Sequence, residues 1–163
     1  MVKYISRTLD CFDDQGNLKT VADSELLHSS RSQVILGDPG IGKSELLREI
    51  ARRYDVTLTP ASSLRWSNIK AVGDRPVLID GLDELAQRRD GDALGEVLRQ
   101  LQSAGWPRFI LSCRAADWDL RSESDLKVLP QEPPVVYSLK PFGQEEALFF
   151  LKNEFPRISA NTL

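Results

Sequence analysis

The chain has 163 residues, of which 41% are hydrophobic and 28% are charged, and this composition is typical of one globular domain with its own core. Its formal net charge of −3 gives no overall positive field that would favour nucleic acid or an anionic membrane as a partner. The two cysteines match no spacing of zinc ligands or redox pairs, so we expect reduced thiols. The N-terminus is acidic and no run is long and apolar, so we expect neither a signal peptide nor a membrane span and predict a cytoplasmic protein.

The pattern of apolar residues divides the chain into strands that alternate with helices. The first 30 residues carry weak signals: "YISRTL" indicates a strand or a turn, "DDQGN" a turn, and "VADSELLHSS" a helix. Short apolar or β-branched runs predict five strands, in "SQVILG", "DVTLT", "RPVLIDGL", "PRFILSCR" and "PVVYSL". Helical spacing is found in "KSELLREIARRY", in the segment that contains Leu94, Val97, Leu98 and Leu101, and in "GQEEALFFLKNEF".

Strands that alternate with helices predict an α/β fold, in which helices cover both faces of a parallel sheet. Right-handed crossovers place the carboxyl ends of such strands at one edge of the sheet. Three of the predicted strands are followed by polar groups: the loop after Leu36, the acids after Ile79, and Ser-Cys-Arg after Leu111. We therefore expect these three groups to line one crevice.

The most specific motif is the glycine-rich run between the first of these strands and the first long helix. Residues 37–44, "GDPGIGKS", fit the pattern G-x-x-x-x-G-K-[ST]. Glycines let the backbone turn so that its N–H groups point at phosphate oxygens, and the helix N-terminus adds a positive dipole end. Lys43 would reach the β- and γ-phosphates, and the Ser44 hydroxyl would bind Mg²⁺. The predicted nucleotide-binding residues are Gly37, Asp38, Pro39, Gly40, Ile41, Gly42, Lys43, Ser44 and Glu45.

A second motif follows the third of the five predicted strands. Asp80 ends the apolar run of residues 77–79, as a Walker B strand requires, and we predict that it binds Mg²⁺ together with Ser44. Asp83 and Glu84 follow three and four residues later. A carboxylate at either position could orient or deprotonate an attacking water, and Glu84 is the preferred base.

A third motif, Ser112-Cys113-Arg114, ends the fourth predicted strand. A polar side chain or an arginine at this place can sense the γ-phosphate through a hydrogen bond or its charge. Cys113 is not expected to be a nucleophile, because the chain has one histidine, His28, and no histidine partner is evident. The predicted catalytic residues are therefore Glu84, Asp83 and Arg114.

Taken together, these motifs resemble a known family. "LIDGLDEL" is similar to the extended Walker B box of NACHT domains, which belong to the STAND class of signal-transduction P-loop NTPases. In that box a small residue follows the first acid, and two acids stand three and four positions after it. "FILSCR" is similar to the family's sensor strand, and "SLKPFGQEEALFFLKNEF" resembles the strand and first lid helix that follow. The resemblance covers about residues 30–155 and implies a three-layer αβα, AAA+-like P-loop fold with a parallel five-stranded sheet in the order 5-1-4-3-2.

The resemblance also implies an organisation and a function. Residues 1–30 would form an extension on or near the nucleotide site, residues 31–140 the NTPase core, and residues 141–163 the start of a truncated helical lid. The family binds ATP, less often GTP, and ADP with Mg²⁺, and it couples nucleotide state to self-association. We thus expect a fragment of a larger protein, with sensor and effector domains of unknown kind beyond residue 163, that acts in bacterial antiviral defence or innate-immune-type signalling.

Other functions share the same phosphate site. An AAA+-type motor that remodels protein or nucleic acid is the main alternative, although such motors usually place the two Walker B acids next to each other. A small-molecule kinase is less well supported, because we find no arginine-rich lid and no acceptor pocket. A binding module without hydrolysis also remains open, because a fragment of this kind can lack the groups that position water.

Overall fold

The computed structural model describes residues 4–87, 92–127 and 129–154, and within them it is an α/β fold built on one mixed sheet of seven strands. The strands are β1 Thr8–Phe12, β2 Leu18–Ala22, β3 Gln33–Leu36, β4 Leu58–Pro60, β5 Val77–Asp80, β6 Phe109–Cys113 and β7 Val135–Leu139. The helices are α1 Asp23–Leu26, α2 Lys43–Tyr54, α3 Leu82–Gln87, α4 Ala93–Ser103, α5 Leu120–Leu126 and α6 Gln144–Glu154. Over this part of the chain, every helix is too short or too polar to cross a membrane.

The sheet has the strand order β2-β1-β7-β3-β6-β5-β4. The five strands from β7 to β4 pair in parallel, with Val34 of β3 opposite Leu111 of β6 and Val136 of β7. β1 pairs antiparallel with both β2 and β7. The predicted parallel sheet of five strands therefore differs from the observed one, which is mixed and has seven strands, because a hairpin from the first 22 residues joins its edge.

This hairpin forms in a segment whose sequence pattern predicts secondary structure only weakly. In the turn, Oδ1 of Asp13 accepts backbone N–H groups from Gln15 and Asn17, and Gly16 has a φ of +82° that favours glycine. Along β1, the side chains of Leu9 and Cys11 are buried while those of Thr8 and Phe12 are exposed. The alternation is that of a strand with one face on a core, and it explains why the segment docks on the sheet.

Helices cover both faces of the sheet, as the sequence predicts. Successive residues of the central strands enter opposite cores, so that Val34 and Leu36 lie in one and Ile35 lies in the other. α2 packs on the Ile35 side with the buried residues Leu46, Leu47, Ile50 and Ala51. α4 packs on the opposite side with the buried residues Leu94, Val97 and Leu101. Strands buried on both faces read as continuous apolar runs, which is why the sequence revealed them.

The predicted helices in segments 43–54 and 143–155 correspond to α2 and α6, and the helix predicted from the spacing of Leu94, Val97, Leu98 and Leu101 corresponds to α4. The short helices α3 and α5 are additions to the sequence prediction, and segment 60–74 contains one short 3₁₀ helix, Ala61–Arg65. Residues 8–22 of the predicted N-terminal extension belong to the same sheet as the core. The first three residues of that extension, the charged segment 88–91, and the expected lid beyond residue 154 lie outside the described residues.

Candidate functional site

A cavity of about 290 Å³ opens at the carboxyl ends of β3, β5 and β6. Because these strands are parallel and adjacent, with β6 in the middle, the loops that follow them meet at one edge. The cavity brings together residues from all three sequence motifs. Its lining consists of Pro39, Gly40, Gly42, Lys43, Ser44, Glu45, Asp80, Gly81, Asp83, Glu84, Ser112 and Arg114.

The loop between β3 and α2 takes a conformation that depends on its glycines. Gly40 and Gly42 have φ values of +77° and +102°, which L side chains rarely adopt, and α2 begins directly after Gly42. Gly37 is required for a different reason, since a Cβ atom there would lie 2.8 Å from Cγ2 of Ile41. The loop therefore turns tightly into the N-terminus of α2, a place where backbone N–H groups and the helix dipole favour an anion.

The side chain of Lys43 binds the backbone of this loop. The ammonium donates to the carbonyl oxygens of Gly37 at 2.6 Å and Asp38 at 3.1 Å. Gly37, Asp38 and Ile41 are the predicted nucleotide-binding residues that do not line the cavity. The first two contribute carbonyl acceptors, and the side chain of Ile41 packs against the core under α2. An anion that enters the cavity would compete with these two carbonyls for the lysine.

A buried hydroxyl joins the ends of β5 and β6. Ser112 is fully buried, its Oγ donates to Oδ1 of Asp80 at 2.5 Å, and the same Oγ accepts the N–H of Gly81 at 2.9 Å. The carboxylate of Asp80 is thereby fixed beside the cavity that the Ser44 hydroxyl also lines. Ser112 belongs to the motif for which a γ-phosphate sensor is predicted, and in the structure its hydroxyl orients Asp80.

The donor set at this end of the cavity fits Mg²⁺. Asp80 and Ser44 supply oxygen ligands, and Mg²⁺ commonly takes one or two protein oxygens while phosphates and waters complete its octahedron. Within the described ranges, no three His, Cys, Asp or Glu side chains are grouped closely enough to hold a metal by themselves.

Asp83 and Arg114 form one unit at the wall of the cavity. Asp83 is 5% exposed, its Oδ2 lies 2.9 Å from Nε of Arg114, and its Oδ1 accepts the backbone N–H of Arg114 at 3.2 Å. Both carboxylate oxygens therefore contact the same residue, which fixes the guanidinium at the cavity. A charge-assisted pair whose carboxylate is buried orients its arginine.

Glu84 reaches the cavity from the first turn of α3 and is exposed. Its backbone N–H donates to the carbonyl of Gly81 at 3.0 Å, and Gly81 has a φ of +79°. A Cβ atom on Gly81 would lie 3.2 Å from Cδ of Glu84, a contact that this exposed side chain can relieve, so the positive φ is what favours glycine here. The glycine between β5 and α3 thus lets Glu84 reach the cavity that Asp80 also lines.

Cys113 does not provide a nucleophile at this site. The residue is 1% exposed, and burial raises the pKa of its thiol to about 12, with the charges of Asp83 and Asp117 adding to the shift. The thiol is therefore protonated at neutral pH, when a nucleophilic cysteine would need to be a thiolate. The sequence expectation for Cys113 agrees with this environment.

One residue that contacts the glycine-rich loop from outside the cavity has no sequence signal. Arg7 is 4% exposed and its Nη1 donates to the carbonyl of Ile41, inside the glycine-rich loop, at 2.8 Å. It precedes β1 in a segment without a recognisable motif, and its contact spans 34 residues of sequence. No local pattern could have indicated it.

Comparison with protein-family models and with curated proteins gives no match for this chain.

Proposed function

We propose that this chain is the nucleotide-binding domain of a NACHT-type STAND P-loop NTPase, which binds ATP or GTP with Mg²⁺ and hydrolyses it slowly to switch conformation or assembly. The observation that carries the proposal is the convergence of three sequence motifs, from three separate strands, on one cavity. A chance match to one motif would not bring the other two to the same sheet edge.

The sheet supports the finer fold assignment that this proposal needs. Numbered in their own chain order, the parallel strands β3, β4, β5, β6 and β7 become 1 to 5, and they lie side by side as 5-1-4-3-2. That is the order that the family resemblance implies. In this assignment, β1 and β2 are an addition to the five-stranded sheet on the outer side of β7.

The phosphate chemistry follows from the loop. The N–H groups of the loop and the N-terminus of α2 would bind the β- and γ-phosphate oxygens. Lys43 would give up the carbonyls of Gly37 and Asp38 in exchange for phosphate oxygens, a stronger charge-assisted contact. Ser44 and Asp80 would hold the Mg²⁺ ion, which neutralises charge on the phosphates when it is bound.

The remaining groups would act on the water and the γ-phosphate. We propose Glu84 as the base, because it is the exposed carboxylate at the rim of the cavity. Arg114 would direct its charge at the γ-phosphate. Asp83, which uses both oxygens on Arg114, is proposed to position that arginine, so its predicted direct part in catalysis becomes an indirect one.

A slow switch is favoured over a motor by the placement of the two acids. Glu84 stands four residues after Asp80, on a separate helix, whereas motors usually carry the acids side by side. Nucleotide state would then bias two conformations or assembly states of a larger protein. Self-association, a cytoplasmic location, and a role in antiviral or innate-immune-type signalling are parts of this proposal that come from the resemblance.

Binding of MgATP to wild-type and Lys43→Ala protein, measured by calorimetry, tests the proposal. We expect the variant to lose detectable binding because the ammonium is the cation that faces the phosphates. Lys19→Ala is the matched control, since Lys19 is an exposed residue on the outermost strand β2, and it should bind as wild type does. Unchanged affinity in Lys43→Ala, or no binding by wild type, would contradict the proposed function.

A further inference from the structure

Arg7 connects the glycine-rich loop to a second segment of the chain. Its Nη1 donates to the carbonyl of Ile41 at 2.8 Å, and its Nη2 donates to the carbonyl of Lys140 at 2.6 Å. The guanidinium also lies over the ring of Phe142, with Cζ of Arg7 4.0 Å from the ring centroid. One side chain therefore holds both the loop and the segment that leads from β7 into α6.

The backbone of Arg7 is itself fixed. Its N–H donates to Oδ2 of Asp23 at 2.8 Å, and its carbonyl accepts the N–H of Asp23 at 2.9 Å. Asp23 is buried and also accepts hydrogen bonds from the hydroxyls of Tyr4 and Ser6. The backbone that carries the guanidinium is thus held in place by Asp23. The planar guanidinium donates in fixed directions, so it positions two carbonyl acceptors better than a flexible ammonium does.

On the far side, contacts continue into α6. The ring of Phe142 stacks on that of Phe150, with centroids 6.0 Å apart. The series Ile41, Arg7, Phe142 and Phe150 therefore joins the loop at the cavity to the C-terminal helix of the described chain. A continuous series of packed and hydrogen-bonded groups is the physical basis on which two sites can be coupled.

Building on the proposed function, we propose that Arg7 is a positioning residue of the nucleotide site, which holds the glycine-rich loop in its binding conformation and couples nucleotide occupancy to α6. Loss of the guanidinium would leave the carbonyls of Ile41 and Lys140 without their donor. The loop would then sample other conformations, and binding would have to order it. Because coupling is reciprocal, nucleotide that orders the loop also orders α6 through Arg7.

The test compares Arg7→Gln with Arg108→Gln as the control. Arg108 is also an arginine that contacts a carbonyl and an aromatic ring, but it lies at the amino ends of the parallel strands, away from the candidate site. Arg108 precedes β6, donates to the carbonyl of Ser29, and lies over the ring of Tyr54 at 5.4 Å. Each variant loses a guanidinium that binds a carbonyl and an aromatic ring. Hydrogen exchange, followed in peptides that cover residues 37–46 and 140–152, and MgATP affinity are measured for both.

We expect Arg7→Gln to speed exchange in both segments and to weaken MgATP binding roughly tenfold, while Arg108→Gln matches wild type in these readouts. In wild type, saturating MgATP should slow exchange in α6, and in Arg7→Gln this slowing should be lost even at saturation. Arg7→Lys, which keeps the charge but not the fork, should recover only part of each effect.

Wild-type exchange of the loop in Arg7→Gln, or equal effects in Arg108→Gln, would overturn the role of Arg7. If Arg7→Gln does not fold, Phe142→Leu replaces it, because it removes the ring and keeps both carbonyl acceptors. That variant should lose the slowing of α6 by MgATP, and retention of the slowing would overturn the coupling. Wild type that binds no nucleotide overturns the proposed function alone, since exchange without ligand still decides whether Arg7 holds the loop.

Discussion

Two cavities lie side by side in this molecule, and both are rich in carboxylates. The first, of about 290 Å³, is the candidate site, and the second, of about 160 Å³, is lined in part by Asp92, Asp117, Asp119 and Asp125. In the second cavity, Asp92 and Asp119 accept backbone N–H groups at the starts of α4 and α5, so they are helix caps. In the first, Asp80 is held by a buried hydroxyl next to a lysine and a serine. Acid content therefore does not separate the candidate site from the second cavity, whereas the partners of each carboxylate do.

Asp83 lines both cavities, so it lies between the carboxylates of the candidate site and those that cap helices. It is buried like a structural residue, yet its partner Arg114 lines the candidate site. Three substitutions of carboxylates, one in each class of environment, turn this comparison into measurable differences.

The largest effect is expected for Glu84→Gln. Removing the proposed base should lower the rate of phosphate release by roughly 100-fold, within the usual contribution of a general base, and leave MgATP affinity unchanged. Release of phosphate in single and multiple turnovers measures the rate, and calorimetry measures the affinity.

Glu123→Gln is the control for that substitution. Glu123 is exposed in the first turn of α5 and does not line the candidate site, so this variant should turn over as wild type does. Unchanged turnover in Glu84→Gln would remove Glu84 from the mechanism.

An intermediate effect is expected for Asp83→Asn. The neutral side chain loses its ion pair with Arg114, and stability should fall by about 2 kcal/mol, in the range of hydrogen bonds to charged groups. Phosphate release should slow roughly tenfold because Arg114 is no longer held. Urea unfolding and turnover assays measure the two effects.

A double-variant cycle shows whether Asp83 acts through Arg114. Asp83→Asn combined with Arg114→Gln should slow turnover no more than Arg114→Gln alone, because the arginine is the group that Asp83 positions. Additive losses would instead assign Asp83 a direct part in the reaction.

The smallest effect is expected for Asp92→Ala, in the second cavity. Loss of the hydrogen bond from the N–H of Gly95 should cost about 1 kcal/mol of stability, as for other N-caps, without changing MgATP affinity. Asp92→Ser is the matched control, since serine also caps helices and should keep most of the stability. A fall in affinity in Asp92→Ala would mean that the two cavities are not independent.

Much of the fold could be predicted because its central strands are buried on both faces. Val34, Ile35 and Leu36 form an uninterrupted apolar run, and that pattern reports burial directly. The turn of the hairpin was predicted in "DDQGN", but its place in the sheet was not, because β1 has only two buried residues, Leu9 and Cys11, and its pairing with β7 spans 130 residues of chain from Leu9 to Leu139. Such a distant pairing has no local signature.

The candidate site shows the same division. The loop, Asp80 and the Ser112–Arg114 segment could be placed together, because parallel strands put their ends at one edge. The partners of these groups could not, since Asp83 meets Arg114 across 31 residues and Arg7 meets Ile41 across 34. Motifs carry residue types and spacing, whereas orientation depends on contacts made after folding.

The two outermost strands bear on how copies of this chain can meet. β4 has three residues and ends in Pro60, which has no N–H to donate, and β2 carries the charged Lys19 near the middle of its edge. Short strands, proline and lysine at a sheet edge discourage the pairing of strands from separate molecules. The self-association proposed for this chain is therefore expected to use helix and loop surfaces, which can separate again when the nucleotide changes, and to avoid the continuous sheet through which proteins aggregate.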